Sequence, residues 1–165
     1  MQHLVGRHLP DLNLRANSHA EVNPANINGR AVYFCYPYTG KPNVPNPPGW
    51  DNIKGAHGST PQALAFATLQ PHFSNRGIRI FGVSLLSEAW IADFADRNML
   101  PYDLLSDEKG QFSGALNLPR FTAGDQQFLS RLTLICNNAK IENVIYPVID
   151  PESNAAEVLA MLQLT

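Results

Sequence analysis

Thiols are scarce in this chain: of its 165 residues only Cys35 and Cys136 are cysteine. Two are too few for a disulfide framework, and a reducing, cytoplasmic location fits that usage. Charge is sparse as well. Charged residues make up 16% of the sequence and sum to a formal net charge of −2, so no basic face is on offer to nucleic acid or to an anionic membrane surface. No window approaches the ~20 consecutive apolar residues of a membrane span. The opening Met1-Gln2-His3-Leu4-Val5 lacks a basic segment followed by an apolar one, which argues against a secretory signal. Cys and His show no zinc-binding spacing, and neither a Gly-x-Gly-x-x-Gly nor a P-loop motif occurs, so no metal and no cofactor is expected. No stretch repeats another.

What is present is a chain that is 44% hydrophobic, long enough for one domain over residues 1–165 whose core buries roughly 70% of the unfolded surface. Thirteen prolines are many for this length, and Pro42, Pro45, Pro47 and Pro48 mark one long loop at about 38–58. A loop of that size inside a compact domain is functional or disordered. Trp50 and Ile53 are the residues able to pin it to the body.

The rest reads as alternating elements. Residues 1–13 form an extended lead-in, and the polar stretch 18–29, with its Asn28-Gly29 turn signal, predicts a short hairpin. Ala31-Val32-Tyr33-Phe34-Cys35-Tyr36 is continuous and β-prone, a central strand buried on both faces and ended by Pro37. Residues 62–76 place Leu64, Ala65, Leu69 and Phe73 at helical spacing. Thr60 is set to cap this helix, Pro61 to be its first residue, Pro71 to kink or split it, and Gly77 to close it. A second buried strand follows at 78–84. The next helix starts at Ser87-Glu88 with Trp90, Ile91 and Phe94 inward. A short strand at 102–105 and a short helix at 108–116 precede a polar loop at 120–127. Strands at 131–136 and 140–146, joined at Asn137-Asn138, form a hairpin, and 151–164 is a final amphipathic helix. Parallel strands joined by helical crossovers, with an antiparallel addition, make an α/β fold: a mixed central sheet flanked by helices on both faces.

The Pro-rich loop ends in Gly58-Ser59-Thr60-Pro61-Gln62, at the start of the first long helix. Backbone N–H groups of a first turn lack partners, and the helix dipole favours negative charge there, so this is a place for an anion or a nucleophile. A hydrolase site is disfavoured, because the Gly-x-Ser-x-Gly elbow is absent and no downstream His pairs obviously with Asp or Glu.

Together with Val5-Gly6-x-x-Leu9-Pro10-Asp11-Leu12, Tyr36-Pro37-x-Thr39, Leu104-Leu105-Ser106-Asp107 and Ser130-Arg131-Leu132-Thr133-Leu134-Ile135, that stretch resembles the peroxiredoxins. These form the alkyl hydroperoxide reductase/thiol-specific antioxidant family, and the match is to its Q-type, bacterioferritin-comigratory-protein-like branch. The resemblance covers nearly the whole chain. It implies a thioredoxin-like fold and a peroxidase that reduces hydrogen peroxide or organic hydroperoxides through a reactive Cys. A thiol reductant such as thioredoxin or glutathione would regenerate it, in a monomer or homodimer without nucleic-acid or membrane partners. Carried over by position, Ser59 stands at the peroxidatic Cys of Gly-Cys-Thr-x-Gln and Arg131 at the activating Arg. Pro37 and Thr39 fall at the Pro and Thr of the active-site loop. Gly58 and Thr60 are expected beside the substrate pocket, and Trp50, if it does not only anchor the loop, is expected to wall it.

This chain departs from the family in three ways. Ser59 is far less acidic than a thiol and cannot be oxidised as sulfur can, so the chain as written is expected to be inactive as a peroxidase. An engineered Cys-to-Ser change or natural loss would explain it. A long insertion separates Thr39 from Ser59, and Ala56 occupies the place three residues before Ser59 where the Thr would ordinarily lie. The resolving Cys of many Q-type members falls at Leu64. The alternative reading is a naturally Cys-less thioredoxin-fold protein that uses the same pocket for binding or regulation. Cys35 and Cys136 read as small core residues, Cys35 alternatively as a surrogate or resolving thiol; His57 reads as a solvated loop residue or as one that tunes the site.

Overall fold

The computed structural model describes residues 1–163. In chain order they form β1 (Leu14–Ala16), β2 (Glu21–Val22), β3 (Arg30–Cys35), α1 (Ser59–Ser74), β4 (Arg79–Ser84), α2 (Glu88–Asn98), β5 (Asp103–Ser106), α3 (Gln111–Ala115), β6 (Arg120–Ala123), β7 (Gln126–Leu129), β8 (Leu132–Asn137), β9 (Lys140–Ile145) and α4 (Asn154–Gln163). Leu164, assigned from the sequence to the last helix, lies outside the described residues.

β3 has no polar face to give to water, and it takes an interior place in the sheet. It pairs in parallel with β4 and antiparallel with β8, in a seven-stranded order β2-β1-β5-β4-β3-β8-β9. Because side chains alternate along a strand, Val32 and Phe34 enter one core with Phe66 of α1, Ile91 and Phe94 of α2 and Val158 of α4. Ala31, Tyr33 and Cys35 enter the other, with Leu4, Leu9 and Phe112 of α3. α1 and α2 are the crossovers that join β3, β4 and β5 in parallel. The expected mixed sheet with helices on both faces is therefore present. No helix among the described residues is long and apolar enough to cross a membrane.

Local expectations needed correction where backbone geometry overrides composition. α1 starts at Ser59, with Gly58 as its N-cap in the left-handed region (φ 114°), so Thr60 and Pro61 lie inside the first turn. The face packed against the core is that of Ala63, Phe66 and Phe73, and Leu64 is 40% exposed. Pro71 neither splits nor ends α1; it sits in the last turn, where only the bond to the Ala67 carbonyl is forgone. Gly77 closes the helix as expected, its N–H reaching the Ser74 carbonyl and that of Ile78 the Phe73 carbonyl.

The polar stretch 120–127 is no loop. It supplies all of β6 and the start of β7, a separate two-stranded sheet. Gly124 (φ 61°) occupies the first central turn position, which demands a positive φ. The N-terminal hairpin turns through His19, not at Asn28-Gly29. The β8–β9 turn uses Asn138 and Ala139, one residue beyond the expected pair.

The long loop is tied down by aromatic rings. Tyr38 packs on Trp50, Trp90 and Phe128 at centroid distances of 5.3, 5.5 and 5.9 Å, and Trp50 also meets Phe121 and Phe128. Ile53 packs against the same core.

Phe66 joins α1 to the sheet: it is fully buried and stacks on Phe34 at 4.5 Å. Phe66→Ala is expected to lower unfolding free energy by roughly 3–5 kcal/mol, read from the denaturant midpoint at unchanged m-value. A second expectation concerns pH. Burial raises the phenols of Tyr33, Tyr36 and Tyr102 above their ordinary 10 and the thiols of Cys35 and Cys136 above their ordinary 9, Cys136 to about 12. Above those ordinary values the unfolded chain has lost protons that the folded chain keeps, so stability falls as pH rises. Arg131, lowered to about 10 by burial, opposes this with a single group. Urea titrations should give a midpoint unaffected by these groups below pH 8 and dropping steeply above pH 10; a level midpoint to pH 11 would contradict their burial.

Candidate functional site

The site is built on the first turn of α1. Its first i→i−4 bond runs from the Gln62 N–H to the Gly58 carbonyl, 3.0 Å, and Pro61 has no N–H. The N–H groups of Ser59 and Thr60 therefore lie outside the helical ladder. Ser59 is 4% exposed, and its buried hydroxyl has no hydrogen-bond partner. Gly58 is needed here for a second reason besides its φ: a Cβ would lie 2.7 Å from Cγ of Pro151, in the turn that leads into α4.

Arg131 enters from the other direction, just before β8, and only 5% of it is exposed. Its Nη1 donates to Oε1 of Gln62 at 2.6 Å, and its Nη2 is shared among the carbonyls of Gly55, Ala56 and His57 at 3.4, 3.2 and 3.2 Å. The guanidinium thus ties β8 to the residues before Ser59 and to the residue one turn after it. No carboxylate among the described residues pairs with it, and its buried Nε–H has no acceptor. Burial alone draws its pKa down to about 10, which still leaves it charged at neutral pH. A buried cation compensated only by neutral acceptors adds to the helix dipole and makes the surroundings of Ser59 favourable to negative charge.

Behind Arg131 the network continues. Gln62 Nε2 donates to Oδ1 of Asn154 at 3.0 Å, and the Thr133 hydroxyl donates to the same oxygen at 2.8 Å. All three side chains are fully buried. Sequence reasoning missed these three as site residues. Gln62 was signalled by its place in the Gly-Ser-Thr-Pro-Gln motif, and Thr133 by standing two residues after Arg131 on the same strand face. Asn154 carries no local signal at all.

The side chains of the other expected residues take no part in this hydrogen-bond network. Pro37 and Thr39 are buried at the end of β3, but Thr39 is engaged with α2: Trp90 Nε1 donates to its carbonyl at 2.9 Å and its hydroxyl at 3.1 Å. Its hydroxyl bonds neither Ser59 nor Arg131. Trp50 is 4% exposed and anchors the loop within the aromatic cluster. His57 is exposed and contacts Asp51 at 2.7 Å, and only its carbonyl takes part in the clamp. Cys35 and Cys136 belong to the opposite core, so neither thiol faces Ser59 and the surrogate-thiol reading of Cys35 fails. A broad cleft of about 1220 Å³, between the Pro45–Pro48 segment and the β6–β7 hairpin with Trp90 on its wall, includes none of Ser59, Arg131 or Thr39. Among the described residues no cluster of His, Cys, Asp and Glu could hold a metal.

If Arg131 is the clamp that holds the turn before Ser59, Arg131→Met should strip partners from the Gln62 amide and the loop carbonyls, at roughly 1–3 kcal/mol for each one left buried. Amide exchange of residues 55–59 should accelerate well before that of β3. Equal protection in wild type and variant would contradict the clamp.

Residues 54–144 match the family described as AhpC/TSA. No curated protein matches the sequence. Among solved structures, peroxidoxin BcpB from Mycobacterium tuberculosis superposes with a TM-score of 0.79 at 23% identity, covering 97% of this chain and 96% of that one. The bacterioferritin comigratory protein of Xanthomonas campestris, solved as a trapped intermediate/ligand complex and described in terms of alkyl peroxide reduction, gives 0.75 at 23%, with 94% and 95% covered. A Cys-to-Ser mutant of Xylella fastidiosa PrxQ gives 0.79 at 20%, with 97% and 95% covered. These likenesses establish the thioredoxin-like α/β fold. Since the matched segment spans more than half of the sequence, from the turn that Arg131 clamps to the last strand of the sheet, the chain belongs to the AhpC/TSA family.

Proposed function

We propose that this chain carries, in one thioredoxin-like domain, the site of a thiol-dependent peroxidase with Ser59 at the position of the reactive thiol. The observation that carries the reading is the uncompensated Arg131 cation, bonded to Gln62 one turn from Ser59 and to the three carbonyls just before it. That arrangement suits a thiolate at position 59, because a positive potential and free helix N–H groups lower a thiol pKa. With Cys there, the thiolate sulfur would attack the distal oxygen of a hydroperoxide. The O–O bond would break, sulfur would become a sulfenic acid, and the alcohol or water would leave with a proton. A thiol donor, such as thioredoxin or glutathione, would reduce the sulfenic acid back. Serine oxygen cannot follow this path. A cytoplasmic, reducing setting suits the cycle.

A second reading is favoured by one observation: both cysteines face the opposite core, so the chain as it stands has no redox-active atom at the site. In that reading the Ser59 pocket binds a small molecule or a partner without turnover. Native mass spectrometry of the purified protein tests it, and a ligand retained by the Ser59 chain and lost in Arg131→Met would support it.

The main reading is tested with Ser59→Cys. Peroxide consumption in the presence of a thiol reductant should rise by roughly a hundredfold or more, the scale of restoring one well-placed catalytic group. A folded variant with no gain over the Ser59 chain would overturn it.

A further inference from the structure

We infer that Asn154, at the start of the last helix, is a positioning residue that sets the direction in which the Gln62 amide presents itself to Arg131. In its consequence for reactivity the inference depends on the peroxidase reading of Ser59. The hydrogen-bond geometry itself does not.

The inference follows from donors and acceptors. A glutamine amide has an oxygen that only accepts and a nitrogen that only donates. Arg131 can only donate, so Gln62 is useful to it in one of two orientations. Asn154 chooses between them. Its Oδ1 receives the Thr133 hydroxyl at 2.8 Å and Gln62 Nε2 at 3.0 Å, which commits the Gln62 nitrogen to α4 and leaves Oε1 to accept from Arg131 Nη1 at 2.6 Å. Every link points the same way, from guanidinium to Gln62, from Gln62 to Asn154, and from Thr133 to Asn154. Removing the Asn154 oxygen frees the amide to turn, and a turned amide sets N–H against N–H at the guanidinium.

The same end of α4 also shapes the other side of the turn. Pro151, in the short 3-10 helix Pro151–Ser153 just before α4, fills the space where a Cβ on Gly58 would lie. Gly58 is held by shape and Gln62 by hydrogen bonding, one on each side of Ser59. The last helix therefore positions the site although none of its residues reaches the reacting atoms.

Two measurements test this. On the ¹⁵N-labelled Ser59 chain, Asn154→Leu should speed solvent exchange of the Arg131 guanidinium protons by about tenfold or more while exchange of β3 amides stays unchanged. Asn154→Asp, which keeps an acceptor for both donors, should leave it slow. If Asn154→Leu does not fold, Asn154→Ala makes the same deletion without added bulk. Unchanged Arg131 exchange in a folded deletion variant overturns the inference whatever Ser59 does. In a Ser59→Cys background, the thiolate absorbance followed against pH should show Asn154→Leu raising the thiol pKa so that the thiolate fraction falls several-fold. Gln62→Leu should do the same, and the double variant no more than either alone. Fully additive effects would mean that Asn154 acts independently of Gln62 and would refute the relay. An ordinary thiol pKa in Ser59→Cys itself, with Arg131 exchange still responding to Asn154→Leu, would sink the peroxidase reading and leave the relay standing.

Discussion

A guanidinium buried without a carboxylate is the constraint around which this molecule is arranged. Transferring a charge out of water is affordable only if hydrogen bonds replace its hydration. Arg131 finds them in one side-chain amide and three successive backbone carbonyls. Those partners come from the end of the long loop and the start of α1, so satisfying the charge fixes the path of the chain into the helix. A carboxylate partner would have neutralised the cation. Neutral acceptors leave its field intact.

The scaffold that makes this possible is the two-faced sheet. β3 delivers Val32 and Phe34 to one core and Tyr33 and Cys35 to the other. Arg131, Thr133 and Ile135 share one face of the neighbouring strand by the same alternation. Both thiols fall on the far side of that division, where desolvation holds them protonated. On the near side, in the first turn of α1, the Ser59 hydroxyl is buried without a hydrogen-bond partner.

Much of this was legible in the sequence because it rests on local pattern. The apolar run 31–36 had to be a buried strand, and the Pro-rich stretch had to be a loop pinned by Trp50 and Ile53. The motif pieces around Ser59 and Arg131 led to the right family. Misreadings arose where a single dihedral or a distant neighbour decides. Gly58 caps α1 because it alone tolerates both its φ and the approach of Pro151, and that displaced Thr60 from the cap. The 120–127 stretch looks polar because it contributes only Phe121 and Ala123 to the core, while the hairpin's other buried residues, Phe128 and Leu129, fall just beyond it. Asn154 is an ordinary polar residue until topology lays α4 beside α1.

The distance along the chain between Gln62 and its partner gives the site an order of assembly. The two residues are 92 positions apart, so on the ribosome the first turn of α1 emerges long before the helix that orients it. β8, with Arg131, is also made first. Until Pro151 and Asn154 arrive, the charge has an amide partner whose orientation nothing fixes and the glycine cap has no wall. A nascent or truncated chain can hold most of the sheet and still lack a formed site. The surroundings of Ser59 are thus among the last things the polypeptide completes, together with the core face that α4 closes with Val158, Leu159 and Leu162.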